Sequence, residues 1–569
     1  MNDKQQKTRN NKKASSVPEK QRSIIYAKSF SEQFTLRGMI IGAVGAVILT
    51  MSSMYVALKL GALPWPIIFV ALVSMAFLKA LGKTNINEIN VTHTAMSAGA
   101  MTAGGIAFTL PAIFMLNPEA DVNLLKIFMV VIGGVLLGLI FTALIRKYFI
   151  ETKALPYPMG QAAAETLIVG DEGGKSSAAL FLSLGASAVF TFLRDGFSLV
   201  TGRVLFPAAA GPTIGGVWAG IWFSPMLVSV GYIIGPVFIG VWFLGALLGD
   251  FGIQSAGVSM GLWDAEIGAA IKSSLGIGLM VGTGVGIIVK GILPKAKEIF
   301  GPMFSKSAMK NSLVDLRWSP LVMVALAVVF ATVCQMGPLA SIITILGAWL
   351  ATSMSSQCVG QSGINPMEVF GIIVLLAAKV AGPSLGQETS VYVAAVVAIA
   401  CGLTGDVMND FKAGYMLKTD SKAQWLGEVV GGLIGAFVAV GAFYALLAAY
   451  GPGAFGDPDM FIAPQAGMVA AMVGGIPHLV SFWIGLAAGC ILYIVNFPVM
   501  TLGLGVYLPF YLSLTAFIGG TLRFIAKKAA PVWEQGGMGV IIASGLLGGE
   551  AVLGVIIAIV QAAQGMAAM

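Results

Sequence analysis

From Arg37 onward the chain is a near-continuous succession of apolar stretches, about fifteen of them, most reaching the length of about 20 residues that a bilayer crossing requires. Residues 39–58, 127–145 and 551–560 with its flanks are examples. In lipid, backbone groups must pair within one helix or around a closed barrel, and long runs without polar alternation read as helices. A soluble core has no use for 57% hydrophobic against 10% charged residues. The fold class is an all-α polytopic membrane protein, so its chemistry belongs inside the bilayer.

Residues 1–36 form a different kind of segment. Lys4, Lys7, Arg9, Lys12, Lys13, Lys20, Arg22 and Lys28 stand against few acids, without the apolar core of a cleaved signal. The tail is expected to be retained and cytoplasmic, its charge acting as a topology signal that touches anionic lipid rather than nucleic acid. Lys79 and Lys83, then Arg146, Lys147 and Lys153, alternate with the acidic end at Glu119 and Asp121. That alternation is the positive-inside pattern with the N-terminus inside, here a bacterial inner membrane. The later basic clusters, 290–317, 412–422 and 523–528, then also face the cytoplasm.

Matching those clusters demands extra crossings from 199–223 and 461–473, or re-entrant pairs in their place. The expectation is about 14–17 membrane segments, including re-entrant or broken helices. The organisation follows as a tail (1–36), an N-terminal membrane half (37–294), a cytoplasmic connector (295–317) and a C-terminal membrane half (318–569). Pro225 and Pro236 recur as Pro498 and Pro509 at a constant offset, 498 − 225 = 273 and 509 − 236 = 273, within similar apolar segments. Crossing in opposite directions, the copies suit an inverted repeat, which together with broken helices marks secondary transporters.

Cys334, Cys358, Cys401 and Cys490 are isolated, and His93 and His478 lie far apart. This spacing offers neither a disulfide framework nor a metal site, and no cofactor is expected. The glycine-rich run 99–105 lacks the strand and βαβ setting of a dinucleotide fingerprint. His93, opening a membrane segment, is either a packed interfacial residue or a proton relay. No nucleophile–base constellation is readable, so an enzyme is disfavoured.

Polar groups inside apolar surroundings mark the candidate site. The strongest constellation is 354–368, where Gln357, Cys358, Gln361, Ser362 and Asn365-Pro366 interrupt two apolar runs. It reads as a loop at membrane depth, with Asn365 capping a helix that starts at Pro366 and offers its N-terminus to a substrate carboxylate. Gln357, Gln361, Ser362 and Asn365 are substrate-binding candidates, joined by Tyr157, Lys379 and Arg194. Arg194-Asp195 ends an apolar segment, where charges pair, line water or snorkel. Glu368, Glu428 and Glu165 are the proton-coupling candidates, with Glu550 in similar glycine-rich surroundings, because shielding a carboxylate favours its neutral form.

Several strings resemble one family. They are Glu32-Gln33-Phe34-Thr35-Leu36-Arg37-Gly38, Tyr55-Val56-Ala57-Leu58-Lys59-Leu60-Gly61, Leu155-Pro156-Tyr157-Pro158, Val228-Ser229-Val230-Gly231-Tyr232 with Pro236, and, most specific, Gly405-Asp406-Val407-Met408-Asn409-Asp410-Phe411-Lys412-Ala413-Gly414-Tyr415. Together they resemble the oligopeptide transporter family, in the bacterial branch near the yellow stripe-like carriers. The resemblance implies a proton-driven symporter of small peptides such as tripeptides, or of peptide-like metal chelates (siderophore or nicotianamine type), with two related halves and a possible homodimer. A channel is the competing class, separable by accumulation against a gradient.

Overall fold

The computed structural model describes residues 25–60, 67–169, 174–205, 207–295, 297, 313, 318–362, 365–382, 385–458 and 460–567. Residues 1–24 of the basic tail and nearly all of the connector 295–317 lie outside this set. The chain is helical almost throughout. Among the described residues, nine helices are long and apolar enough to cross a membrane, with shorter apolar helices between them.

In chain order the helices that matter for the site are α1 (Leu36–Leu60), α2 (Ile67–Ala80), α3 (Ile86–Ala107), α4 (Leu124–Arg146), α5 (Pro158–Val169) and α6 (Gly174–Thr191). A single wider turn, Phe192–Gly196, continues α6. Four two-residue strands follow: β1 (Ala209–Ala210), β2 (Thr213–Ile214), β3 (Val217–Trp218) and β4 (Ile221–Trp222). They form one antiparallel ribbon, with Ala209 opposite Trp222 and Thr213 opposite Trp218. Then come α7 (Pro225–Ile234), α8 (Pro236–Ala246), α9 (Ala265–Ile287), α10 (Ser319–Thr332), α11 (Pro338–Ser362), α12 (Met367–Ala381), α13 (Gln387–Met416) and α14 (Ser421–Tyr450). The chain closes with α15 (Pro464–Gly474), α16 (Leu479–Ile494), α17 (Val499–Tyr507), α18 (Phe510–Ala529) and α19 (Met538–Ala567).

Three of the sequence expectations are corrected here. Residues 199–223 make no crossing, because the ribbon replaces the expected helix; Gly211, Gly215 and Gly216 take positive φ values that suit turns. The 354–368 loop is mostly absent too, since α11 runs helically through Gln357 to Ser362. Amides and small residues there are compatible with a helix because the neighbouring helices, rather than loop geometry, satisfy their side chains. Most of the segment 461–473, from Pro464 on, falls in α15, which at 11 residues spans about 16 Å and cannot cross alone.

The most enclosed element is α13, whose apolar window is wholly covered by neighbours, α4, α11 and α12 among them. Small residues draw the other pairs together. On α14, a Cβ at Gly427, Gly431 or Gly435 would lie 3.1 Å from Val91 O, 2.0 Å from Ala95 O and 2.4 Å from the Gly99 Cα of α3, so the two backbones nearly touch. On α19, Gly545 and Gly549 do the same against Leu180 O and Leu184 O of α6, at 2.5 and 2.2 Å.

The proline-marked copies pack crosswise, α7 against α18 and α8 against α17. Gly505 abuts Trp242, and Gly231 abuts Ala516. Moving the first pair by the repeat offset, 242 + 273 = 515 and 505 − 273 = 232, lands one residue from the second. A two-fold exchange of the copies requires this correspondence.

Candidate functional site

Arg194 sits on the wide turn that ends α6, with its side chain 2% exposed. A charge this deep must be paired. Its Nε donates to Asp195 Oδ1 at 2.8 Å, its Nη2 reaches Glu550 Oε1 at 3.0 Å, and its Nη1 donates to the Phe223 carbonyl. Glu550 comes from α19 and is delivered by the Gly545–Gly549 contact with α6. Its carboxylate also accepts from the Met226 N–H at 2.8 Å, and the Ser224 hydroxyl lies 2.9 Å from both its oxygens. Ser224 caps α7 at the same time, accepting from Leu227 N–H, so Glu550 lies against a helix N-terminus.

These groups line a cavity of about 360 Å³. Lys59, at the end of α1, holds its ammonium 5.4 Å from the Trp222 ring and 5.5 Å from the Phe461 ring. Tyr55 and Tyr450 meet Phe461 edge-on, and Trp222 stacks on Tyr511 at 5.9 Å. The lining thus combines two cations, two carboxylates and an aromatic wall. Asp195 is the accessible acid, 33% exposed against 2% for Glu550.

A second polar centre lies in the α3–α13–α14 core. Asp406 and Asp410 are one helical turn apart on α13, and Glu428 faces them from α14; one carboxylate oxygen from each lies within 4.8 Å of the others. Ser97 donates to Asp410 Oδ2 at 2.7 Å, and His93 Nδ1 lies 3.7 Å from Asp410 Oδ1. All four titratable groups are buried. The sequence reading picked Glu428 but missed the two aspartates as partners, although the string Gly405–Tyr415 contained them. Spacing of four on a helix was the available signal.

The other candidates are distributed. Among the described residues of the substrate-binding set, Arg194 alone lines the cavity. Gln357 accepts from Lys153 Nζ at 2.8 Å, and Tyr157, held at φ 46, donates to Ser356 O and from its backbone to Gly360 O. Asn365 does not cap a helix. Pro366 occupies the cap position of α12 without a side-chain bond, while Asn365 Nδ2 donates to Cys401 O at 2.9 Å and its Oδ1 accepts from Ser355. The amide is drawn sideways to α13, which pins the α11–α12 break to the core. Lys379 donates to the Val473 carbonyl at the end of α15. Glu368 is buried in the first turn of α12. The side chains of Gln361, Ser362 and Glu165 lie outside the described residues, though their backbones are helical.

A bundle of helices long and apolar enough to cross a membrane, with a charged, ring-walled cavity, defines a polytopic membrane protein. The chain belongs to the oligopeptide transporter family: the family model for the OPT oligopeptide transporter protein matches residues 33–561. It is similar to a protein of Haemophilus influenzae named "Putative oligopeptide transporter", 26% identical over 90% of this chain and 93% of the relative.

Proposed function

We propose that this protein imports short peptides by proton-coupled symport and that the Arg194–Glu550 chamber is the peptide seat. The charge balance of its lining supports this most. A peptide is a zwitterion on a polar backbone, and a chamber lined by both cations and carboxylates can match both ends. Asp195 meets the peptide ammonium, and Lys59, steadied over Trp222 and Phe461, meets its carboxylate. The aromatic wall takes up side chains by contact that is tolerant of sequence. At about 360 Å³ the chamber lies near the small end of the usual range of about 300–1,000 Å³, which favours two or three residues over long peptides.

Protons are assigned to Glu428 with Asp406 and Asp410, and next to Glu368. Among the described residues no lysine or arginine pairs with the first three, so bound protons or another cation must balance them. Glu428 and Tyr450 lie 22 residues apart on α14 (450 − 428), about 33 Å along its axis. Coupling between cluster and chamber therefore runs through movement of helices rather than contact. With the basic tail in the cytoplasm, the chamber faces the opposite side of an inner membrane.

Uptake of a labelled tripeptide into proteoliposomes, with and without an inward proton gradient, tests both parts. Accumulation is expected only with the gradient, and Glu428→Gln should abolish accumulation while leaving peptide exchange intact. Equal uptake in both conditions rejects proton coupling. Saturable uptake of a peptide-like metal chelate but of no free peptide moves the substrate class to chelates.

A further inference from the structure

We infer that Asp406, Asp410, Glu428 and His93 form a binding site for a single divalent first-row transition ion. The inference stands on the geometry of this cluster and goes beyond the transport reading. Three helices contribute. Asp406 and Asp410 project from α13, Glu428 from α14 and His93 from α3, and all four are at most 3% exposed.

The spacing fits one small ion. Three carboxylate oxygens within 4.8 Å of one another can share a centre at metal–ligand distances of about 2.0–2.3 Å with small side-chain shifts, and His93, whose Nδ1 lies 3.7 Å from Asp410 Oδ1, joins as the fourth ligand by a further movement of its ring. The unused valences point the same way. Both Glu428 oxygens, Asp406 Oδ2 and both His93 ring nitrogens are buried without a hydrogen-bond partner, although such groups in native interiors are nearly always satisfied. The buried histidine, with neither ring nitrogen hydrogen-bonded, is the second sign of a ligand beside the three carboxylates.

Support around the site is in place. Ser97 donates to Asp410 Oδ2, which leaves Oδ1 turned toward His93. The glycine contacts of α14 with α3 set the close approach of the two helices that carry Glu428 and His93. Three oxygens and one imidazole nitrogen suit Mn²⁺ or Fe²⁺ better than a soft or an all-oxygen ion. An ion here would displace the protons assigned to Glu428, making it a competitor of coupling.

Mn²⁺ binding to the purified, metal-stripped protein in detergent provides the test, without peptide or gradient. One Mn²⁺ per chain is expected, with ¹⁴N coupling from a single imidazole in pulsed electron paramagnetic resonance. Glu428→Gln should weaken affinity at least about tenfold, and His93→Gln should remove the nitrogen coupling. A variant of the exposed acids, Glu119→Gln with Asp121→Asn, should bind as the parent does. Lack of Mn²⁺ binding by the parent, unchanged affinity in Glu428→Gln, or a bound ion without nitrogen coupling overturns the site. A thermal melt confirms that each variant is folded. Loss of peptide uptake in Arg194→Gln with Mn²⁺ binding retained would leave this inference intact whatever becomes of the transport reading.

Discussion

Arg194 and Glu550 depend on each other. With both side chains 2% exposed, removal of one leaves a buried charge facing its former partner's space. Arg194→Gln is expected to destabilise the protein by about 3–5 kcal/mol, the usual cost of breaking a buried pair. The double variant Arg194→Gln with Glu550→Gln should recover much of that loss, since the one charge left without its partner, Asp195, is 33% exposed and can be solvated. Thermal unfolding in detergent of the parent, both singles and the double checks this; strict additivity would mean the pair is not coupled. Sequence alone marked Arg194 as a charge needing a partner and Glu550 as an acid among glycines. It offered no means of matching them, because they come from helices 356 residues apart in the chain (550 − 194).

Among the helices, the glycines of α14 and α19 decide which polar groups meet. A methyl group at Gly431 would sit 2.0 Å from a carbonyl oxygen of α3, and one at Gly549 would sit 2.2 Å from a carbonyl of α6. Both obstacles are backbone, which cannot swing aside. Gly431→Ala and Gly549→Ala are each expected to cost about 1–3 kcal/mol and to separate the helices they join. Gly441→Ala, on the same α14 but with open space at its Cβ, should be neutral or slightly stabilising. A melting series over the three distinguishes packing from helix propensity, and a destabilised Gly441→Ala would contradict this account. The run Gly427-Glu428-Val429-Val430-Gly431 was readable as close packing. That its partner is α3, bringing His93 with it, was not, since small residues specify nearness without specifying the neighbour.

Across the whole molecule, orientation follows from basic residues. They predict the tail and the start of α14 on one side, and the residues just past Tyr450 on the other. A cysteine at position 15, replacing Ser15, should resist an impermeant thiol reagent in intact cells, while Gly453→Cys, at an exposed position with open space around it, should react. Both are scored against the parent, whose Cys334, Cys358 and Cys401 are buried. The reverse pattern would invert the topology and place the peptide chamber on the cytoplasmic face.

The sequence by itself determined the solvent and the helices. Apolar runs too long for a soluble fold require lipid, and lipid requires backbone groups paired locally, so class and most segments follow from composition and length. It failed where an outcome depended on what lay beside a segment. Residues 354–362 look like a loop in isolation, yet α13 and the turn at Tyr157 supply partners that let α11 continue. Asn365 has the chemistry of a cap, but the Cys401 carbonyl is nearer. Tertiary structure alone assembled Lys59, Arg194, Asp195 and Glu550 into one chamber, and His93, Asp406, Asp410 and Glu428 into one cluster. The reason is physical: hydrophobic partition and local hydrogen bonding are properties of each segment, whereas the pairing of charges falls off with distance through space and is fixed only when helices pack.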